Sequence, residues 1–357
     1  MATNHDLFSS LDLGGQTLRN RIVMAPMTRS RADDNGVPGE LVPVYYGQRA
    51  SAGLIISEGT YPSAMGKGYI RTPGIHTEVQ IAAWKRVTDA VHANGGLIFL
   101  QIMHAGRISD PSFLPDGAIP VAPSAVQPAG QSYTAEGMKP HVTPRALEIA
   151  EIPGIVADFG QATANALAAG FDGVELHAAS GYLPEQFLSS KTNLRTDEYG
   201  GSVENRARFI VETLAAMVEA AGAERVGIKI SPEMNFNDIE DATPQETFTH
   251  LVRAIAPLKL AYLHVALFGT PVDYHGLLRP LFGGAYLVGG GLTQESAGEF
   301  IRFGTADAAV FGNLFIANPD LPERFRKKAE LAAPDKGTFY SPGAEGYIDY
   351  PALSDAA

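Results

Sequence analysis

The feature that most constrains this fold is a series of eight short apolar segments separated by stretches with helical periodicity. The apolar segments lie at residues 22–25, 54–57, 97–101, 173–177, 226–230, 262–266, 285–289 and 308–311. Between most of them, apolar residues recur at helical spacing, over residues 78–94, 155–169, 203–221, 244–256 and 294–303. Continuous apolar strands that alternate with helices are typical of a parallel sheet, and eight such units predict a closed (β/α)8 TIM barrel of the α/β class.

The position of the glycine cluster distinguishes this barrel from an open, doubly wound sheet. A doubly wound sheet that binds a nucleotide carries a glycine-rich turn after an early strand, and no such turn follows the first apolar segment. Gly289, Gly290 and Gly291 instead follow the seventh segment. Barrels often build a phosphate site from the loops after strands seven and eight, so the cluster favours the barrel.

The length of the chain permits one domain or two. At 357 residues, two domains are admissible, but single barrels with insertions reach this size. We predict one domain over residues 1–357. Residues 105–145, after the third strand, are rich in proline and glycine and lack a long helical period. A loop of this length within a compact domain is usually functional, so we expect a capping, lid-like insertion.

Composition and charge exclude several classes of function. Because the chain has no cysteine, it has no disulfide, thiolate metal site or cysteine nucleophile, and we expect no metal site. The net charge of −12 opposes binding to a nucleic-acid backbone. No apolar run approaches membrane-spanning length, and the first residues lack the pattern of a signal peptide. We expect a cytoplasmic protein, a monomer or homodimer, whose partners are small molecules.

A polar segment at the end of the fourth apolar run combines three hydrogen-bonding side chains. His177 ends the run, and Ser180 and Tyr182 follow three and five residues later. Active sites of such barrels lie at the carboxyl ends of the strands, so these groups are placed to bind and protonate a substrate with a polarised oxygen. The alternative is a polar loop whose histidine is satisfied by internal hydrogen bonds.

Lys229, on the fifth apolar run, has two interpretations. Side chains alternate along a strand, which places Glu175 and His177 on one face and makes Lys229 a near neighbour of Glu175 if both face the barrel interior. Lys229 then either neutralises a buried carboxylate or binds a ligand, and one lysine can do both.

Glycine turns follow the seventh and eighth runs. Gly290 and Gly291 allow the backbone to approach a ligand closely, ahead of a helix whose free amides can face an anion, and Gly312 and Asn313 form a second turn. Each turn alone has an ordinary structural explanation. Two on adjacent strands favour an anion site.

Longer motifs carry a family resemblance along nearly the whole chain. They are Leu-Arg-Asn-Arg-Ile-Val-Met-Ala-Pro-Met-Thr-Arg at residues 18–29, Leu-Gln-Ile-Met-His-Ala-Gly-Arg at 100–107, the His177 segment, Phe-Ile-Ala-Asn-Pro-Asp-Leu at 315–321 and Gly-Tyr-Ile-Asp-Tyr-Pro-Ala-Leu at 346–353. Together they are highly specific. The chain resembles the Old Yellow Enzyme family of flavin-dependent ene reductases.

The resemblance implies a barrel that holds FMN on its carboxyl face and a ping-pong cycle. In that cycle NADPH or NADH reduces the flavin, which then gives a hydride to the β-carbon of an activated alkene. By residue, it implies that His177 and Ser180 bind the substrate's activating oxygen, that Tyr182 protonates the α-carbon, and that Thr28 tunes the flavin. The implied cofactor contacts are Ala25, Pro26, Met27, Thr28, Gly59, Gln101, Lys229, Gly290, Gly291, Gly312 and Asn313, and the implied pocket residues are Tyr69, Met103 and Tyr347.

Three positions depart from the family pattern. Ser180 stands where asparagine or histidine is usual, and its shorter side chain predicts an altered substrate preference or weaker binding of phenol-like ligands. Lys229 and Asn313 each replace a usual arginine, beside the flavin ring and at the phosphate. Loss of a bidentate charged contact costs about 1.5–3 kcal/mol, so we expect FMN to be held loosely.

Two other functions fit the residues. The departures at Ser180, Lys229 and Asn313 suggest a flavin-free protein that binds a ligand without redox turnover. A barrel lyase that uses Lys229 as a Schiff-base amine is the third possibility. It is disfavoured because Glu175 would keep the lysine charged.

Overall fold

The computed structural model describes residues 5–356. Its strands are β1 (Leu11–Leu13), β2 (Gln16–Leu18), β3 (Ile22–Met24), β4 (Leu54–Ile56), β5 (Ile98–Ile102), β6 (Val121–Ala122), β7 (Gln131–Thr134), β8 (Gly137–Pro140), β9 (Arg145–Ala146), β10 (Gly173–His177), β11 (Val226–Ile230), β12 (Tyr262–Ala266), β13 (Ala285–Gly289) and β14 (Ala308–Phe311). Its α-helices are α1 (Leu41–Gln48), α2 (Glu78–Ala93), α3 (Ile152–Ala168), α4 (Leu183–Leu188), α5 (Val203–Ala221), α6 (Pro244–Ile255), α7 (Tyr274–Leu278), α8 (Gln294–Arg302), α9 (Asn313–Ala317) and α10 (Leu321–Lys327).

The eight predicted strands form a closed parallel barrel. Around it the order is β3, β4, β5, β10, β11, β12, β13 and β14, and β14 pairs with β3 to close the ring. The predicted TIM barrel is confirmed. The last five barrel strands have the predicted bounds, and the first three differ by one residue at one or both ends.

The longest helix shows how the sequence sets the ends of the outer elements. The Ser202 side chain accepts a hydrogen bond from the amide of Asn205 and so satisfies one free donor at the start of α5. At the other end, Gly222 has a φ of +83°, a conformation that glycine adopts without a steric penalty. The helix therefore has the predicted bounds. Among the helices of residues 5–356, none is long and apolar enough to cross a membrane.

Side-chain alternation along the strands separates two apolar cores. Residues such as Leu100, Leu176 and Ile228 face outward and pack against the helices. Residues on the other face fill the barrel interior, where Phe99 and Tyr262 lie with their ring centroids 5.9 Å apart. The interior core occupies the amino-terminal half of the barrel and leaves the carboxyl ends of the strands for polar groups.

A hairpin that the sequence reading did not identify joins the interior core. β1 and β2 pair antiparallel just before the first barrel strand, around a turn at Gly14 and Gly15 with positive φ angles. The hairpin contributes the buried side chains of Leu13 and Leu18 to the interior cluster. The amino-terminal part of the interior is thus packed with side chains.

The segment at residues 105–145 contains its own small sheets. β7 and β8 form an antiparallel hairpin, and β6 pairs with β9. Arg107 anchors the segment, since its Nη2 donates to the carbonyl oxygens of Asn237 at 3.2 Å and Asp238 at 2.6 Å, in the loop after β11. The insertion is therefore bonded to a neighbouring loop at the carboxyl end of the barrel.

Candidate active site

A polar layer inside the barrel lies just above the apolar interior. Glu175 is fully buried, and its two oxygens bind different strands: Oε1 accepts from Gln101 Nε2 at 2.8 Å, and Oε2 lies 3.0 Å from His264 Nδ1. Burial lowers the pKa of Lys229, and the Glu175 carboxylate opposes that shift. Glu175 is thus the carboxylate expected beside Lys229, joined by His264, which the sequence reading did not single out.

His177 and Tyr182 meet directly above this layer. The two rings pack edge to face with centroids 4.8 Å apart. His177 is buried, and its Nδ1 has no hydrogen-bond partner among the described residues. Burial lowers its pKa well below the ordinary value, and the charges of Lys229 and His264 act in the same direction. A neutral imidazole with a free ring nitrogen can therefore bind a ligand oxygen.

Ser180 lies in the turn between those two rings. Its φ is +59°, and its amide donates to Ser231 Oγ at 2.9 Å. Its hydroxyl lies 3.7 Å from the sulfur of Met234. A weak thioether acceptor leaves this hydroxyl nearly free to serve another partner.

Tyr69 and Met103 complete a small cluster around Tyr182. The hydroxyl oxygens of Tyr69 and Tyr182 are 2.9 Å apart, and Met103 packs with both rings. Burial raises the pKa of Tyr182 well above its ordinary value, and Tyr69 adds to the effect. The structure thus brings together five of the six predicted substrate residues, with Tyr182 as a neutral phenol.

Two residues absent from the sequence predictions hold this cluster in place. The Asn237 side chain donates to the Ser180 carbonyl at 2.8 Å. It also lies near the hydroxyls of Tyr69 and Tyr182, where it opposes the rise of both pKa values that burial causes. Gln186 is fully buried, and its Nε2 donates to the carbonyl oxygens of Gly181 at 2.7 Å and Ala105 at 3.0 Å. A positive φ of 58° at Asn237, in a non-regular loop, gives no periodic signal in the sequence.

Tyr347 is placed apart from the cluster. It is fully buried and stacks on Tyr45 at 4.2 Å between centroids, with the Arg31 guanidinium 4.5 Å from its ring centre. The tail aromatic that acts electrostatically on Tyr69 and Tyr182 is Tyr340, which is 59% exposed. Order along the chain does not reveal which tail tyrosine faces the cluster.

A cavity of about 690 Å³ lies beside the polar layer, at the ends of β3 and β11–β14. Eight of the predicted cofactor residues line it, namely Ala25, Pro26, Met27, Lys229, Gly290, Gly291, Gly312 and Asn313. Thr28, Gly59 and Gln101 do not line it and lie at the ends of β3, β4 and β5. The volume is typical of a site for a small molecule or cofactor.

Gly290 and Gly291 line the cavity with backbone at positive φ, a conformation that other residues rarely adopt. Gly290 has a φ of +114°, and a Cβ there would lie 1.8 Å from the carbonyl oxygen of Leu267. Gly291 has a φ of +68° with open space where a Cβ would be. Only glycine fits the first position, and the second presents bare backbone to the cavity.

Comparison with known proteins assigns the family. The sequence profile of the NADH:flavin oxidoreductase / NADH oxidase family matches residues 6–332. The chain is 43% identical to rice 12-oxophytodienoate reductase 1, over 98% of this chain and 93% of that protein.

The chain belongs to the Old Yellow Enzyme family.

Other Old Yellow Enzyme relatives agree in sequence and fold. A probable flavin mononucleotide-dependent alkene reductase of Leishmania infantum is 42% identical, with 97% of each chain covered. Morphinone reductase in complex with tetrahydroNAD superposes with a TM-score of 0.94 at 48% identity, over 99% of each chain. The Zymomonas mobilis homologue has a TM-score of 0.95 at 40% identity, over 98% of this chain and all of that one.

Family membership makes the protein an FMN-dependent ene reductase that takes its electrons from NAD(P)H. The residues present fit FMN. The cavity is lined by bare glycine backbone and by Lys229, whose register partner on the neighbouring strand is His177 with its unpartnered nitrogen. Neither the ligand-binding alternative nor the lyase alternative gains support.

Proposed function

We propose that the protein reduces enones, enals, maleimides and nitroalkenes in two half-reactions that use the His177–Tyr182 cluster as the substrate site. When bound, FMN supplies the hydride, which it has received from NADPH or NADH. One observation carries the proposal: a neutral imidazole with a free nitrogen packs edge to face on a neutral phenol, 4.8 Å between centroids, beside the cavity. A hydrogen-bond donor for the substrate oxygen and a proton donor for the α-carbon are thus held together.

His177 binds and polarises the activating oxygen of the alkene. Hydride addition at the β-carbon leaves negative charge on the carbonyl or nitro oxygen, and a donor aimed at that oxygen stabilises the transition state. Because burial keeps the imidazole neutral, it acts as a hydrogen-bond donor without giving up its proton. Ser180, with its nearly free hydroxyl, is the proposed second donor.

Tyr182 delivers the proton to the α-carbon. A phenol whose pKa is raised by burial stays protonated between substrates, so the proton is available when the carbanion-like carbon forms. After transfer, the buried phenolate needs a partner. The Tyr69 hydroxyl, 2.9 Å away, can donate to it, and Tyr69 is partly exposed, so it links Tyr182 toward solvent.

The residues proposed to hold FMN follow the cavity. Lys229 and Gln101 stand at the ring end, with Thr28, Gly59 and the backbone of Ala25, Pro26 and Met27 beside it. Gly290, Gly291, Gly312 and Asn313 form the phosphate end. Support comes from the cavity lining and from the open space at Gly291. Met103 and Tyr69 shape the substrate pocket, and residues 105–145 cover it as a lid.

The test is a visible spectrum of the purified protein. FMN is added, then NADPH or NADH under anaerobic conditions, then a maleimide or cyclohexenone. We expect flavin absorbance that bleaches with the reductant and returns with the alkene. Bleaching with no return would contradict alkene reduction at this site. Small-molecule partners fit the net charge of −12, which opposes binding to a nucleic-acid backbone. A cytoplasmic monomer or homodimer completes the proposal.

A further inference from the structure

Two lysines line the flavin cavity from different elements. Lys229 lies on β11, within the barrel. Lys328 follows Phe325, whose carbonyl accepts from Gln294 Nε2 at 3.0 Å, and Gln294 lies three residues after Gly291. No other lysine or arginine of the described residues lines this cavity. The residue at the conventional phosphate position, Asn313, is neutral. Among the described residues that line the cavity, Lys328 is therefore the one that can bring a full positive charge to the glycine end.

Lys328 is held at this place by the geometry of its helix end. It caps α10 in the left-handed conformation, with a φ of +52°, and its amide donates to the carbonyl of Phe325 at 3.2 Å. A lysine in this conformation carries a steric cost that the local structure must offset. The cap turns the chain so that residue 328 lines the cavity while residue 327 does not.

Lys328 is also uncommitted to a carboxylate, unlike its neighbour. Within residues 5–356 no ion pair joins Lys328 to an acidic side chain, whereas Lys327 pairs with Glu323 at 3.0 Å. Asp6, Glu295 and Glu299 line an adjoining surface cleft with Lys328, without contact at ion-pair distance. The ammonium group is therefore free to serve a ligand.

We propose that Lys328 supplies the positive charge that the FMN phosphate meets in this protein, in place of the arginine that Asn313 replaces. The proposal rests on the placement of the phosphate end described above. A phosphate monoester carries nearly two negative charges at neutral pH, and lysine binds phosphate as a flexible point charge. Bare backbone at Gly290 and Gly291 supplies hydrogen-bond donors, and Lys328 supplies the charge.

The test compares two flavins that differ by the phosphate alone. The full chain is freed of flavin and titrated with FMN and with riboflavin, and binding is followed by quenching of flavin fluorescence. We expect Lys328→Gln to weaken FMN by about two- to fivefold at low ionic strength, as for an exposed ion pair, and to leave riboflavin unchanged. The loss shrinks at high salt.

Two further variants make the test specific. Lys327→Gln removes the same charge one residue away, and we expect its FMN and riboflavin affinities to match those of the unaltered protein. Asn313→Arg in the Lys328→Gln background restores a cation to this end, and we expect FMN affinity to recover.

The outcomes separate this inference from the proposed function. An equal loss for both flavins, an unchanged ratio of the two affinities, or the same effect from Lys327→Gln overturns the role of Lys328 while the cofactor site stands. An unaltered protein that binds FMN no better than riboflavin would show that the phosphate end itself is misplaced.

Discussion

At the scale of single residues, burial sets the chemistry of the site. The same desolvation that keeps the phenol of Tyr182 protonated keeps the imidazole of His177 neutral, because each charged form is disfavoured away from water. Tyr182, whose ordinary pKa is near 10, is thereby kept protonated as the proposed acid. His177, whose ordinary pKa is near 6.5, is kept neutral as the proposed hydrogen-bond donor.

Removing the Tyr182 hydroxyl separates the two half-reactions. We expect Tyr182→Phe to slow alkene-dependent reoxidation by about 10²–10⁴-fold, the usual contribution of a positioned acid, and to leave reduction by NADPH or NADH unchanged. Stopped-flow absorbance measures both rates. Tyr350→Phe, which removes a tail hydroxyl that accepts from the amide of Asp335 at 2.8 Å, is the control and should alter neither. An equal loss in both half-reactions of Tyr182→Phe would mean that the residue shapes the flavin site instead.

The backbone at Ser180 is suited to a longer side chain. Asparagine tolerates the left-handed φ of +59° and adds an amide donor where the serine hydroxyl is short. We expect Ser180→Asn to bind para-hydroxybenzaldehyde about two- to tenfold more tightly, with a stronger long-wavelength charge-transfer band. Ser180→Ala removes the proposed second donor, a single neutral hydrogen bond, and should weaken the ligand by about two- to tenfold. An unchanged affinity in Ser180→Ala would show that the serine hydroxyl does not reach the ligand oxygen.

At the scale of elements, the short helix α4 positions the turn that carries Tyr182, the proposed proton donor. Its residues Glu185 and Gln186 bind the amide and the carbonyl of Gly181, the residue before Tyr182. Helices this short have little intrinsic stability and depend on tertiary contacts. In α4 every residue is buried. The turn is therefore held from within the protein.

Glu185, in α4, makes the stability of the protein depend on pH. Burial raises its pKa to about 8, so the folded state holds a proton that the unfolded state, with a pKa near 4.5, releases. The unfolded state binds fewer protons between about pH 4.5 and 8, and stability therefore falls as the pH rises through that window. We expect Glu185→Gln to remove this fall. The free energy of unfolding of the variant, relative to that of the unaltered protein, should be higher at pH 8 than at pH 5 by on the order of a few kcal/mol.

Urea unfolding of both proteins at pH 5 and pH 8 measures the effect. Glu78→Gln, at an exposed position in α2, serves as the control and should leave the pH dependence unchanged. If Glu185→Gln shifts stability equally at both pH values, the carboxyl group is ionised in the folded protein throughout this range, and the assignment is wrong.

At the scale of the whole molecule, the tail after α10 is bound to the loop that follows β3. Arg29 donates to the carbonyl of Gly346 at 2.9 Å, and Arg31 donates to those of Thr338 and Phe339 at 2.9 and 2.8 Å. Tyr347 stacks into the same group. This cluster adjoins Ala25–Thr28, the segment proposed to contact the flavin, so the two ends of the described chain jointly shape the site.

Substitutions of Tyr347 distinguish a packing role in this cluster from a role in substrate binding. Its buried hydroxyl has no partner among the described residues, so Tyr347→Phe should cost no stability and leave the KM for the alkene unchanged. Tyr347→Ala should cost about 3–5 kcal/mol in urea unfolding, because it removes a fully buried ring. A raised KM in Tyr347→Phe would instead show that the hydroxyl reaches the ligand.

The sequence predicted the barrel more completely than the site. Buried strands such as Gly173–His177 carry a continuous apolar signal, and glycine turns reveal themselves by composition. Contacts such as that of Asn237 with Ser180 depend on a loop conformation without periodicity, and the positions of Tyr340 and Tyr347 depend on how the tail packs. The sequence does not single out Lys328, because a lysine among charged neighbours has no distinguishing pattern.

The bond between Arg29 and Gly346 also has a consequence for synthesis on the ribosome. The acceptor follows the donor by 317 residues. At about 5–20 residues per second, the β3 loop emerges roughly 15–60 seconds before its last partners. FMN should therefore bind only near the end of synthesis, after the tail has emerged. A protein truncated before residue 338 should be produced without bound FMN, and so without the yellow colour of the flavin.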